Sequence, residues 1–139
     1  MKKILRGGLS LVFLTALNSF SQDKISIWSG VYQKDQAVRG EAVYREECSD
    51  CHGADLKGRD MSPSLIGIGF SFKWEGKTLQ EFYSSMRLGM PQTAPGSLSD
   101  SNYVSLTSFL LSENGFPSGG VELTGDEAML ESIQITSNR

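Results

Sequence analysis

The chain has 139 residues, with 16 acidic and 13 basic side chains, a formal net charge of −3, two cysteines and one histidine. That length fits one domain, and an acidic balance argues against nucleic acid as the default partner, because phosphates require a basic footprint. Two cysteines and one histidine supply three of the ligands that structural zinc prefers, one short of a tetrahedral site.

Met1-Lys2-Lys3-Ile4-Leu5-Arg6 is a basic start, and the stretch from Leu9 to Leu17 is apolar except for Ser10 and Thr15. Asn18-Ser19-Phe20-Ser21 then offers small residues for a cut before Gln22. Residues 1–21 therefore read as a secretory signal peptide. The apolar run is short of the ~20 residues a spanning helix needs, which disfavours an uncleaved anchor. Removing this segment leaves 10 basic against 16 acidic side chains, a formal −6. Such a charge suits solubility and a partner with a basic docking face.

Residues 22–34 read as an irregular lead-in. A helix is expected from Asp35 as N-cap, with Ala37, Gly40, Tyr44 and Cys48 on one face. Gly40 costs that helix about 1 kcal/mol relative to alanine, a cost that a close helix crossing would explain.

Cys48-Ser49-Asp50-Cys51-His52 follows and contains both cysteines and the one histidine of the chain. It is the Cys-x-x-Cys-His pattern of covalent c-type haem attachment. Each thiol can bond a haem vinyl carbon, and the adjacent imidazole can ligate the iron. A thioredoxin-like redox pair would need a βαβ surrounding, which the neighbouring sequence does not supply. Haem c is attached outside the bacterial inner membrane, so the export signal and the motif support each other and point to the periplasm.

Residues 53–77 are punctuated by Gly53, Gly58, Pro63, Gly67, Gly69 and Gly76. Phe70, Phe72 and Trp74 alternate, which predicts a short extended segment. So long a loop is reasonable if it wraps a cofactor. Thr78-Leu79-Gln80-Glu81 is a capping box opening a helix with Leu79, Phe82 and Met86 on one face. Gly89-Met90-Pro91 ends it, and the segment from Gln92 to Ser97 is a loop. Ser99 is the next N-cap, with Leu98 and Tyr103 as a hydrophobic staple. Tyr103, Leu106, Phe109 and Leu110 form the apolar face of that helix, which stops near Asn114-Gly115. Residues 118–139 form a tail with a capping box at Thr124 to Glu127 and a short helix carrying Met129, Leu130 and Ile133.

No second histidine exists, so an axial partner for His52 falls among the methionines. Met61 lies soon after the motif, Met86 is on a helix face where methionine is more often core filler, and Met129 is in the tail. Met90 sits in a loop from which a side chain can reach inward. Lys57, Arg59, Lys73, Lys77 and Arg87 concentrate in mid-chain, as solvated surface or as a rim for a haem edge. Trp74 is a candidate to donate its indole N–H to a haem propionate, or to another acceptor in the core.

Cys48 to His52, Met61 to Gly67, Gly89-Met90-Pro91 and the closing helix together resemble the class I cytochrome c family over about residues 35–117. The stretch from Gly89 to Asp100, with Asn114 to Pro117, looks more narrowly like haem domains that accompany quinoprotein alcohol dehydrogenases. The resemblance implies an all-α fold, a small helical cytochrome c domain at 35–117 wrapped around one covalently bound haem. It implies haem c held through Cys48 and Cys51, and iron ligated by His52 and Met90. It also implies that the Pro63 carbonyl orients His52 and that Leu65 packs on the haem. A site closed by histidine and methionine suits electron transfer. The expected function is therefore a periplasmic monohaem carrier of single electrons, not an enzyme, acting either as a free shuttle or as a non-catalytic subunit of a dehydrogenase. Its expected partners are redox proteins: a quinoprotein dehydrogenase, another c-type cytochrome or a terminal oxidase. The alternative is a haem-based catalyst or sensor of peroxide or small gases, which needs an open sixth position and a distal acid or base.

Overall fold

The computed structural model describes residues 24–137; the expected signal peptide lies outside them. Among the described residues the elements run β1 (Ile25–Ser26), α1 (Lys34–Glu47), α2 (Ser49–His52), α3 (Gly67–Trp74), α4 (Leu79–Gly89), α5 (Asp100–Glu113), α6 (Glu127–Ser132) and β2 (Ile133–Gln134). The architecture is helical, as the class I cytochrome c fold requires. No helix among the described residues is long and apolar enough to cross a membrane.

The centre of the fold is the crossing of α1 and α5, and Gly40 makes it possible. A Cβ at Gly40 would lie 1.9 Å from the Ser105 carbonyl oxygen and 2.8 Å from Phe109 Cβ. Only a residue without a side chain lets the two backbones meet there. One turn along α1, the Tyr44 ring packs on Phe109 with centroids 5.3 Å apart. Tyr103, Leu106 and Leu111 of α5 and Leu79 of α4 are buried in the same core. The α4 start matches its sequence: Thr78 Oγ1 accepts from Glu81 N, and Glu81 Oε2 accepts from Thr78 N at 2.9 Å. Ser99 caps α5 by accepting from Asn102 N at 3.2 Å.

Other expectations are corrected. Phe70, Phe72 and Trp74 lie on helix α3 rather than on an extended segment. A strand would put all three rings on one face, whereas the helix sends Phe72 to the opposite side from the other two. Phe70 and Trp74 are buried and Phe72 is 93% exposed. The Phe82 ring receives both buried rings, at 5.5 Å and 4.9 Å. Helix α1 begins at Lys34 with Gln33 as its cap, not at Asp35. Asp126 caps α6 by accepting from Met129 N at 2.8 Å, in place of the expected Thr124 box. Ile133 belongs to β2, not to the α6 face.

The two ends of the described chain pack together. Strands β1 and β2 are parallel, with Ile25 opposite Ile133. Gly119 N donates to Tyr32 O at 2.7 Å. Buried Gln36 ties the tail to the start of α1: its Nε2 donates to Leu123 O, and its Oε1 accepts from Leu123 N, both at 2.8 Å. The same Oε1 accepts from Gln33 N at 3.1 Å. Ile27, Tyr32, Leu123, Leu130, Ile133 and Ile135 are all buried. The pairing of lead-in and tail was not visible in sequence, because two-residue strands have no readable period.

Candidate functional site

Helix α1 ends at Cys48, whose N–H bonds Tyr44 O at 2.9 Å, and α2 carries the rest of the motif to His52. Cys48 is half-buried and Cys51 exposed, and both thiols are free. Burial, reinforced by the Glu47 charge and then by Cys51, pushes the Cys48 thiol up to about 11. For Cys48 that direction is opposite to the depressed pKa of a redox-active thiol.

His52 is buried at 7% exposure. Its Nδ1 lies 3.0 Å from the Pro63 carbonyl oxygen. A carbonyl can only accept, so Nδ1 carries the proton and Nε2 keeps the lone pair available to a metal. The chain between His52 and Pro63 is built to bring that carbonyl back. Gly58 N donates to His52 O at 2.8 Å, Ser62 N to Arg59 O at 2.7 Å, and Leu65 N to Leu56 O at 2.8 Å. Gly58 has φ +82°, and a Cβ there would come within 2.3 Å of Ser62 O; only glycine fits a return this tight. Tyr44 Oη donates to Gly53 O at 2.6 Å, fixing the end of α2 from α1.

Leu65 is partly buried against the core. Its carbonyl accepts from Asn114 Nδ2 at 3.0 Å, while Asn114 Oδ1 accepts from Gly67 N at 3.0 Å. Asn114, which in sequence marks only a helix stop, thus fastens the segment after Pro63 to the end of α5. Trp74 is buried, with Lys73 Nζ 4.8 Å and Lys77 Nζ 5.5 Å from its ring centroid. Two other mid-chain cations pair with acids, Lys57 with Asp55 at 3.6 Å and Arg87 with Asp100 at 2.9 Å.

Met90 caps the end of α4, its N–H bonding Met86 O at 2.8 Å. Its carbonyl accepts from Tyr103 Oη at 2.7 Å. Of the other methionines considered, Met61 is 96% exposed, and Met86 and Met129 are partly buried against the core. The structure joins Cys48, Cys51, His52, Pro63 and Leu65 in one hydrogen-bonded segment. Trp74 and Met90 come from α3 and the end of α4.

A helical body built around a single Cys-x-x-Cys-His segment defines a class I, monohaem c-type cytochrome. Residues 35–110, more than half of the chain, match the family model for cytochrome c oxidase, cbb3-type, subunit III, and the chain belongs to that family. The structure of the sulfane dehydrogenase SoxCD from Paracoccus pantotrophus is similar in fold, with a TM-score of 0.53, 21% identity, and coverage of 95% of this chain and 68% of that chain. None of the curated proteins compared with the chain matches it. The family implies haem c, and the donor set fits: two free thiols beside a histidine whose Nε2 keeps its lone pair.

Proposed function

We propose that the protein is an exported, periplasmic monohaem cytochrome that carries single electrons and is not itself an enzyme. Cys48 and Cys51 would hold the haem, and His52 and Met90 would ligate its iron. Bound haem c supplies a one-electron ferrous/ferric couple. The observation that carries the reading is His52 Nδ1 at 3.0 Å from Pro63 O, which orients the ring and leaves Nε2 to face a metal. A thioether from Met90 together with the His52 imidazole would favour the reduced state and raise the potential. With both His52 and Met90 as ligands the iron would have no open place for peroxide or a gas, and the chain has no second histidine to serve as a distal base.

We further propose a dehydrogenase as electron donor, with another c-type cytochrome or a terminal oxidase as acceptor. The loop from Gly89 to Asp100 supports a quinoprotein donor through its likeness to quinoprotein-associated haem domains. The fold likeness to a sulfane dehydrogenase structure is compatible with the broader class.

The test is the exported protein itself. Haem stain should survive reducing, denaturing electrophoresis, and Cys48→Ala or Cys51→Ala should weaken it. The ferric protein should show the weak near-infrared charge-transfer band of methionine-ligated haem, which Met90→Ala should abolish and Met86→Ala should spare. A protein that binds carbon monoxide readily and turns over peroxide would overturn the carrier reading.

A further inference from the structure

The carbonyl of Met90 is held by a side chain from another helix. Tyr103 is fully buried in α5, at 0% exposure, and its Oη donates to Met90 O at 2.7 Å. From Ser84 to Asn102 no residue is fully buried, although Met86 and Leu98 pack partly against the core, and Tyr103 is the first fully buried side chain after that run. The Met90 peptide is thereby fixed on both sides, by the Met86 carbonyl at its N–H and by the Tyr103 hydroxyl at its own carbonyl. The remaining hydrogen bonds of the loop are local turns, Ala94 N to Pro91 O and Ser97 N to Ala94 O. The Arg87–Asp100 pair across its base is exposed and contributes little.

We infer that Tyr103 is a positioning residue for the sixth ligand: its buried hydroxyl holds the Met90 backbone so that the thioether stays within reach of the iron. The inference rests on the proposed ligation by Met90. Losing the hydroxyl leaves the side chain's packing in place and removes one of the two anchors of the segment. An exogenous ligand then competes against a less well-held thioether.

The experiment is an imidazole titration of the ferric holoprotein, with the near-infrared band recorded alongside. Tyr103→Phe should bind imidazole roughly fivefold more tightly, the factor expected from one part-buried neutral hydrogen bond, and should lose its near-infrared band at lower temperature. Tyr32→Phe is the matched control. It removes a buried hydroxyl that donates to a backbone carbonyl, Phe116 O at 2.7 Å, away from the Met90 loop. It should lower global stability similarly without changing imidazole affinity. 4-Aminophenylalanine at position 103 restores a donor and should recover parental affinity. If Tyr103→Phe does not fold, 4-fluorophenylalanine fills the volume without donating and takes its place. Parental affinity in the non-donating variant, or an equal gain in Tyr32→Phe, would overturn the inference. Survival of the near-infrared band in Met90→Ala would instead remove the ligand assignment, and the inference with it.

Discussion

The segments on the two sides of the proposed haem site are built differently. From Cys48 to Gly67 the backbone is tied down at His52, Gly53, Leu56, Gly58, Leu65 and Gly67, by bonds from α1, from α5 and from within the segment. His52, Gly53 and Leu56 are buried. From Met90 to Ser99 no residue is fully buried, Leu98 packs partly against the core, and a single side-chain hydrogen bond, from Tyr103, ties the segment to α5. The histidine is therefore over-determined, whereas the methionine hangs on few contacts. Local opening draws on regions with few buried contacts, so ligand exchange should begin on the methionine side. Both segments converge on α5: Tyr103 near its start holds one and Asn114 at its end holds the other.

That convergence makes the α1–α5 crossing the point at which both sides fail together. Gly40→Val would drive a side chain into the Ser105 carbonyl, where even a Cβ would sit at 1.9 Å. The helices must part, at a cost of about 3 kcal/mol or more. The expected outcome is little folded haem protein, and denaturant unfolding of any that is recovered should show the loss. A Gly40→Val protein with parental stability would mean that α5 does not unite the two sides.

Tyr44→Phe should separate the two sides. It removes the hydroxyl that donates to Gly53 O at 2.6 Å, while that carbonyl keeps its bond from Leu56 N at 3.1 Å, so the loss costs about 1 kcal/mol. The denaturant midpoint should fall, while the near-infrared methionine band and imidazole affinity stay parental, because the damage lies on the histidine side. There is also a pH signature. Burial, with smaller contributions from Cys48 and Asp55, pushes the Tyr44 hydroxyl up to about 12. The neutral form is thus favoured in the folded state, and that stabilisation is present below pH 10 and lost as pH rises through the folded value. The gap between parent and Tyr44→Phe should narrow above pH 10.

What the sequence disclosed follows the same division. Short motifs with a chemical or capping signature were legible: Cys48 to His52, the Thr78–Glu81 box, Ser99 before α5, and Gly40 as a crossing point. Pro63 was reached through family resemblance, and the structure sets its carbonyl 3.0 Å from His52 Nδ1. Contacts made by one side chain over a long separation were not legible. Gln36 reads as a polar residue on a helix, yet it is buried because Leu123 returns to it. Tyr103 reads as an apolar-face residue, and nothing in its spacing announces the Met90 carbonyl. The helix at α3 was missed because Phe70, Phe72 and Trp74 satisfy a period of two as well as a turn of four, and only Phe82 decides between them.

The smallest expected effect tests how finely the histidine side is held. Asp55 sits in the loop between His52 and Pro63, fully exposed. Its Oδ1 accepts from Lys57 N at 3.3 Å, and its other oxygen lies 3.6 Å from Lys57 Nζ. The Lys57 backbone N–H chiefly, and the ammonium to a lesser degree, hold the carboxyl below its ordinary 3.8. A depressed carboxyl stabilises the fold above its unfolded pKa and loses that contribution as pH falls through the folded value. Asp55→Asn should therefore be slightly less stable than the parent at pH 7, and the difference should shrink as pH falls below 3.8 and vanish below the still lower folded value. Denaturant midpoints across that range measure it. Because Pro63, not Asp55, orients His52, the haem spectrum should be unchanged throughout. A spectral shift in Asp55→Asn would mean that the loop is held less redundantly than its backbone bonds imply.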